Sequence, residues 1–503
     1  MKIIKRLLIL LGFSLGATEK PNVILIFADD LGIEMLGAYG QKVINTPNID
    51  RLAEEGMKFN NYYGAVFCAP ARWTLLSGLH DGRLGGWSHN RAGLPIKYDM
   101  NQMSLAEYEM AFAEHKKTSL KIDDSEVFLA QMAAKAGYYT GQIGKLDRGF
   151  LTWDERVKRH GWDYHYGYYD HVRAHGFYPP YLWENGKKIL IEGNDSPTCG
   201  KTSDASDEPV GWGGTVYSQD LFLDKILSFI RKNKSRPFFL YHPTQLPHGP
   251  IAVNEIDPLF KDRADLNFVE KKYATMIKIL DDHVGEIVKE LKKQGIDDKT
   301  VIFFTSDNGH ELYYDPTRSF NKQLLANGEK ADLDNNKWRS SDFGDVFNAV
   351  GTRAGLKRSV YQGGVQVPMI VRWPGNIAQG TETKHLSAHY DFMATLAEIC
   401  GAEVPKGKDS LSYLPTLKSE KQLVEHDYVI IGKNQRQMGK SALISKTGYK
   451  LIEVDRKRDL FQLYDLRSDN DERHNIIAQF PELAEKLKKQ LLSQLESTRP
   501  DLN

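Results

Sequence analysis

The chain has 503 residues, enough for one large α/β domain with an appendage or for about three domains of ordinary size. With 41% hydrophobic and 26% charged residues it can bury a large core, which excludes a disordered chain. Lys+Arg and Asp+Glu are equal at 66 each, so no global field recruits nucleic acid or a membrane surface, and anion recognition must be local.

Residues 1–18 read as a secretory signal peptide. Lys2, Lys5 and Arg6 form a positive start, Leu7 to Leu15 an apolar stretch and Gly16-Ala17 a small-residue exit. The stretch is too short to span a bilayer, so the expected location is secreted or periplasmic, without stable membrane insertion. Cys68, Cys199 and Cys400 are too few, and odd in number, to form a disulfide framework.

From residue 22 onward short apolar runs alternate with helical patterns. Asn22 to Ala28 runs into Asp29-Asp30, and residues 48–56 follow as a helix from an Asn cap to Gly56. Cys68-Ala-Pro-Ala-Arg72 comes next, leading into Trp73-Thr-Leu-Leu-Ser-Gly78. Pro70 suits a first helical turn, which places Cys68 at a helix N-terminus, where anions are favoured, with Arg72 on the same face. Tyr138 to Ile143 then runs into Gly144-Lys145, and Pro237 to Tyr241 is followed by Pro247-His248. Residues 268–293 are a long amphipathic helix, and Val301 to Phe304 runs into Ser306-Asp-Asn-Gly309. Continuous apolar runs suit strands buried on both faces of a parallel sheet. The expected fold is therefore α/β: a large, mostly parallel sheet flanked by helices, with polar residues gathered at the carboxyl ends of its strands.

Two segments depart from this pattern. Residues 151–215 hold an aromatic-rich insert with His165, His171, Arg173 and His175 among Trp and Tyr side chains. Aromatic faces with interspersed cations suit an anionic sugar and equally suit an insert packing its own small core. After residue 405 short strand-like runs at 428–431, 442–444, 449–452 and 460–464 precede a helix opening at Pro481. The expected layout is a catalytic domain over 19–405 and a C-terminal α+β unit over 406–503, built as a small antiparallel sheet plus a terminal helix.

Asp29, Asp30, Asp307 and Asn308 offer oxygen donors at two strand ends, a set that fits a hard cation, Ca²⁺ or Mg²⁺, rather than zinc. An isolated Asp pair after a strand is more often a solvated strand end; its pairing with Ser-Asp-Asn-Gly and Cys68 gives the set its weight.

Residues 68–78 resemble throughout the signature of the type I, formylglycine-dependent sulfatases of the alkaline phosphatase-like superfamily: Cys-x-Pro-Ser/Ala-Arg followed by Leu-Leu-Thr/Ser-Gly. The resemblance covers most of the chain after its first residues. It implies a sulfuric ester hydrolase in which a maturation enzyme oxidises Cys68 to formylglycine. It further implies that Asp29, Asp30, Asp307 and Asn308 hold Ca²⁺, that Arg72, Lys145 and Lys357 serve the nucleophile and sulfate, and that His248 protonates the leaving oxygen. One departure stands out. Where the family reads Gly-Lys-Trp-His-Leu-Gly, this chain reads Gly144-Lys-Leu-Asp-Arg-Gly149, so Asp147 takes the place of a histidine that contacts the formylglycine. His310, Arg83, His89, His171, Arg173 and His175 are candidate substrate contacts, and a sulfated carbohydrate is the expected substrate class. Two rivals stay open: a phosphate or phosphonate ester hydrolase on the same scaffold, and a non-catalytic sulfated-glycan-binding protein.

Overall fold

The structure, a computed structural model, describes residues 20–83, 93–119, 125–146, 157–200, 214–314, 325–329, 337–432 and 440–497. The expected signal peptide, His89 and Asp147 lie outside the described residues.

Strand β1 (Asn22–Ala28) runs through the middle of a ten-stranded sheet. Its Val23, Leu25 and Phe27 face one hydrophobic layer, its Ile24, Ile26 and Ala28 the other. Both faces are buried, which is why the strand is apolar without alternation. The remaining strands are β2 (Met57–Phe59), β3 (Tyr62–Tyr63), β4 (Tyr139–Gly144), β5 (Tyr164–Gly167), β6 (Tyr181–Glu184), β7 (Lys187–Leu190), β8 (Phe238–Pro243), β9 (Thr300–Ser306), β10 (Met369–Arg372), β11 (Thr381–Thr383), β12 (Ser387–Ala388), β13 (Tyr428–Ile431), β14 (Ser441–Ser445), β15 (Tyr449–Asp455) and β16 (Leu460–Asp465). The large sheet has the order β11-β2-β10-β9-β1-β8-β4-β5-β6-β7, and β3 pairs with β12 apart from it.

The centre, β9-β1-β8-β4-β5, is parallel throughout. The flanks are antiparallel where β10 meets β9 and β2, and where β6 meets β5 and β7. The sheet is thus mixed: its five central strands are parallel, antiparallel pairs flank them, and the edge pair β11-β2 is parallel again. The aromatic-rich insert does not stand apart: β5, β6 and β7 extend the main sheet, and Tyr166, Tyr168, Phe177 and Tyr178 belong to the same hydrophobic layer as β1.

Helices Pro47–Glu54, Ser218–Asn233 and Phe268–Gln294 contribute to one layer, and Cys68–Ser77 and Phe392–Cys400 to the other. Strands β13 to β16 form the expected antiparallel sheet, against which helix Pro481–Glu496 packs Ala484, Leu487, Leu491 and Leu495. Among the described residues no helix is long and apolar enough to cross a membrane.

Candidate active site

Parallel pairing in register, Ala28 opposite Ser306, brings Asp29-Asp30 and Asp307-Asn308 side by side as β1 and β9 end. Asp30 has a left-handed φ of 64°, a conformation Asp adopts more readily than most residues. Its backbone N–H donates to Asp307 Oδ1 at 2.9 Å. The end of β4 delivers Lys145, whose Nζ lies 2.6 Å from Asp29 Oδ2. Beyond β8 comes His248, and the segment after Gly355 supplies Lys357, 2.5 Å from Asp30 Oδ2.

Cys68 opens the fully buried helix Cys68–Ser77, which closes at Gly78 with φ 69°. One turn along, the completely buried guanidinium of Arg72 bridges Asp29 Oδ2 at 3.3 Å and Asp307 Oδ2 at 3.5 Å. Burial pushes the Cys68 thiol above its ordinary pKa, although Lys145 pulls the other way. Burial also pushes the Asp307 carboxyl well up, aided by the charges of Asp29 and Asp30. In Asp29 burial opposes ionisation, but Lys145 and Arg72 outweigh it and hold the carboxyl low. Asp29 Oδ1 and Asn308 Oδ1 are buried with no protein partner. Buried oxygen acceptors in a carboxylate cluster fit a bound hard cation.

His248 donates from Nδ1 to the Gly249 carbonyl, leaving Nε2 to accept from Lys357 Nζ at 3.2 Å, with the Tyr313 hydroxyl, which donates to Asp30, 2.9 Å away. Burial and the Lys357 charge hold this imidazole neutral, far below the usual histidine range. His171 Nε2 lies 3.4 Å from Cys68 Sγ, and the His175 ring stacks on His248 at 4.5 Å. Gln245 fastens the loop that carries both, donating to the Ala174 and Gly176 carbonyls at 2.8 and 2.7 Å.

Three candidate substrate contacts have other partners. Arg83 pairs with Asp409 and donates to Gln494 of the terminal helix at 3.1 Å, tying the chain beyond the Cys68 helix to the C-terminal unit. Arg173 pairs with Asp99, and Tyr181 lies against it. His310 is fully buried, with Nε2 3.0 Å from Tyr314 Oη. Conversely, Tyr313 escaped the sequence reading. Its hydroxyl reaches Asp30, His248 and Lys357 together, but nothing in Glu311-Leu-Tyr-Tyr314 marks one tyrosine over the other. Gln245 escaped too, because its work is done on backbone carbonyls far away in sequence.

A large α/β sheet with acidic strand ends facing a helix-borne Cys and buried lysines defines an alkaline phosphatase-like hydrolase. The solved structures it resembles agree. A "6S-sulf" protein of Bacteroides thetaiotaomicron, from work on the metabolism of multiple glycosaminoglycans, matches with TM-score 0.71 and 25% identity over 95% of this chain and all of that one. The phosphonate monoester hydrolase of Agrobacterium radiobacter shares the fold, with TM-score 0.58 and 17% identity over 94% of this chain and 95% of that one.

The sulfatase sequence profile matches residues 21–402, so the chain belongs to the sulfatase family and is a sulfuric ester hydrolase. Residues 355–500 also match the C-terminal profile of N-sulphoglucosamine sulphohydrolase. Among curated relatives, the N-acetylgalactosamine-6-O-sulfatase of Bacteroides thetaiotaomicron is 28% identical over 95% of this chain and 93% of its own length. The human N-acetylgalactosamine-6-sulfatase is 28% identical over 80% of this chain and 66% of its own.

Proposed function

We propose that this sulfatase removes sulfate from a sulfated carbohydrate, after secretion directed by residues 1–18. The observation that carries the reading is the convergence of residue 68, Arg72, two lysines and four oxygen-donor side chains at neighbouring strand ends. The curated relatives that act on N-acetylgalactosamine-6-sulfate support the substrate class.

Asp29, Asp30, Asp307 and Asn308 are the residues that would hold Ca²⁺, which when bound neutralises charge on the sulfuryl group and activates a hydroxyl. Residue 68, oxidised to formylglycine, supplies the nucleophilic hydroxyl as a hydrated aldehyde. Arg72 orients the Asp29 and Asp307 carboxylates, and Lys145 and Lys357 are point charges for sulfuryl oxygens. His248 holds the proton that the departing alcohol oxygen takes up. Its imidazole is neutral beside Lys357, and an arriving anionic ester favours the charged, donating form. Tyr313 keeps the Nε2 edge of His248 aimed at this place. Asp147 takes the proton whose removal frees sulfate. The domain layout follows the same reading: catalysis in 19–405, with 406–503 bracing it.

Mass spectrometry of the peptide spanning residue 68, from a host with the maturation enzyme, is the direct test. Exchange of the –CH₂SH group for –CHO is expected, together with sulfate release from sulfated N-acetylgalactosamine that exceeds turnover of a phosphate monoester or phosphonate ester. An unmodified thiol in protein that still releases sulfate would overturn the nucleophile, and faster phosphonate turnover would overturn the substrate.

A further inference from the structure

We propose that the protein, while Cys68 is still a thiol, carries a site for a thiophilic divalent cation of the zinc class, formed by Cys68, His171 and His175. The site needs only the Cys68 thiol; its loss on maturation rests on the proposed conversion of residue 68. Cys68 Sγ and a ring nitrogen from each histidine lie within 4.8 Å of one another. The His171 Nε2 to Sγ separation is 3.4 Å. Bond lengths of about 2.3 Å to sulfur and about 2.0 Å to nitrogen at a tetrahedral centre require about 3.5 Å between those atoms. The two imidazoles meet edge to face, centroids 5.1 Å apart at 89°, so a small rotation lets both aim a nitrogen at one point.

Cys68 and His171 are buried while His175 is partly exposed, so an ion and a water as fourth ligand enter from the His175 side. One sulfur and two imidazoles select zinc, cobalt or copper, whereas the all-oxygen set of Asp29, Asp30, Asp307 and Asn308 selects calcium. The Asp29 and Asp307 carboxylates, each with an oxygen within 4.8 Å of Sγ, offset the nearby Lys145 charge. On binding, the metal–sulfur bond forms as the thiol proton leaves to water. Conversion of residue 68 to an aldehyde removes the sulfur ligand, so metal occupancy and maturation exclude each other.

The test uses full-length protein from a host lacking the maturation enzyme, with the Cys68 thiol verified by mass and calcium present throughout. Titration with Co²⁺ is expected to show one equivalent bound with thiolate-to-cobalt absorption. X-ray absorption of the zinc form should give one sulfur and two imidazole nitrogens. Cys68→Ser should abolish the cobalt–thiolate absorption while Cys199→Ser keeps it, and His171→Ala or His175→Ala should each weaken zinc binding at least tenfold. Circular dichroism and the calcium-dependent unfolding midpoint check that the variants fold. Should they not, the zinc shell of the unsubstituted protein decides: a shell without sulfur, or absorption that survives Cys68→Ser, overturns the site.

Discussion

Arg72 holds together a cluster that would otherwise repel itself. Asp29, Asp30 and Asp307 are fully buried, and Arg72 bridges the first and third. Removing one member of a buried charge network leaves uncompensated charge and costs about 3–5 kcal/mol. Arg72→Met is therefore expected to lower the thermal midpoint sharply, and millimolar Ca²⁺ to recover part of the loss by replacing the missing positive charge; midpoints with and without calcium measure both effects. The wild type should respond to the same ion more modestly. Free Ca²⁺ at 100 times Kd stabilises by about 2.7 kcal/mol, and chelation removes that contribution. Asn308→Ala should shift the dependence to higher calcium, and a wild-type midpoint indifferent to chelation would remove calcium from the site. At this scale the sequence was most legible where residues are adjacent. Cys68 and Arg72 share one motif, and the oxygen-donor pairs Asp29-Asp30 and Asp307-Asn308 close two strands. Tyr313 and Gln245 were illegible because each acts on groups that only the fold brings near.

Among elements, the cap on helix Pro47–Glu54 comes from outside it. Thr46 at its N-cap position makes no side-chain cap hydrogen bond; Asp281, on helix Phe268–Gln294, accepts from the N–H groups of Asn48 and Ile49 at 2.9 and 2.8 Å and from Asn48 Nδ2 at 2.9 Å. The sequence reading finds the helix but starts it at an Asn48 cap; the helix begins at Pro47 after Thr46, and the Asn48 N–H is itself capped by an acid more than 200 residues later. Asp281→Ala should cost about 1–2 kcal/mol in denaturant unfolding, the size of a lost N-cap. The pH dependence has a definite sign. Burial lifts the Asp281 pKa from 3.8 to about 6 against the pull of those hydrogen bonds. Between these values the folded protein binds the proton that the unfolded chain has released, so this group lowers stability as pH rises from about 4 to about 6. Asp281→Asn should flatten the stability profile over that window relative to wild type, and an unchanged slope would show that Asp281 does not set it.

At the scale of the whole molecule, the parallel centre was legible because β1, β8 and β9 are apolar on both faces, a pattern that only a doubly covered sheet explains. The antiparallel flanks were not, since β10 and β6 carry no mark of their direction. Nor was the manner in which the C-terminal sheet grips the catalytic face. Lys450 on β15 and Glu472 are both completely buried and pair at 2.9 Å. Glu472 accepts from the Gln362 N–H at 2.7 Å, and Lys450 donates to Gln362 Oε1 at 3.1 Å. Gln362 lies five residues after Lys357, so the pair anchors the segment that presents that lysine. Glu472→Ala should cost about 3–5 kcal/mol because it leaves the Lys450 ammonium buried without its partner. If the pair also positions Lys357, KM for the sulfate ester should rise in this variant at temperatures where it remains folded. Glu472→Leu combined with Lys450→Met removes both charges and should recover most of the stability, since an apolar pair of similar volume is often neutral or better. KM should stay raised in the double variant, because the Gln362 contacts are still missing. Thermal midpoints and steady-state kinetics on the two variants separate the roles: recovery of stability and KM together would make the pair a structural tie alone.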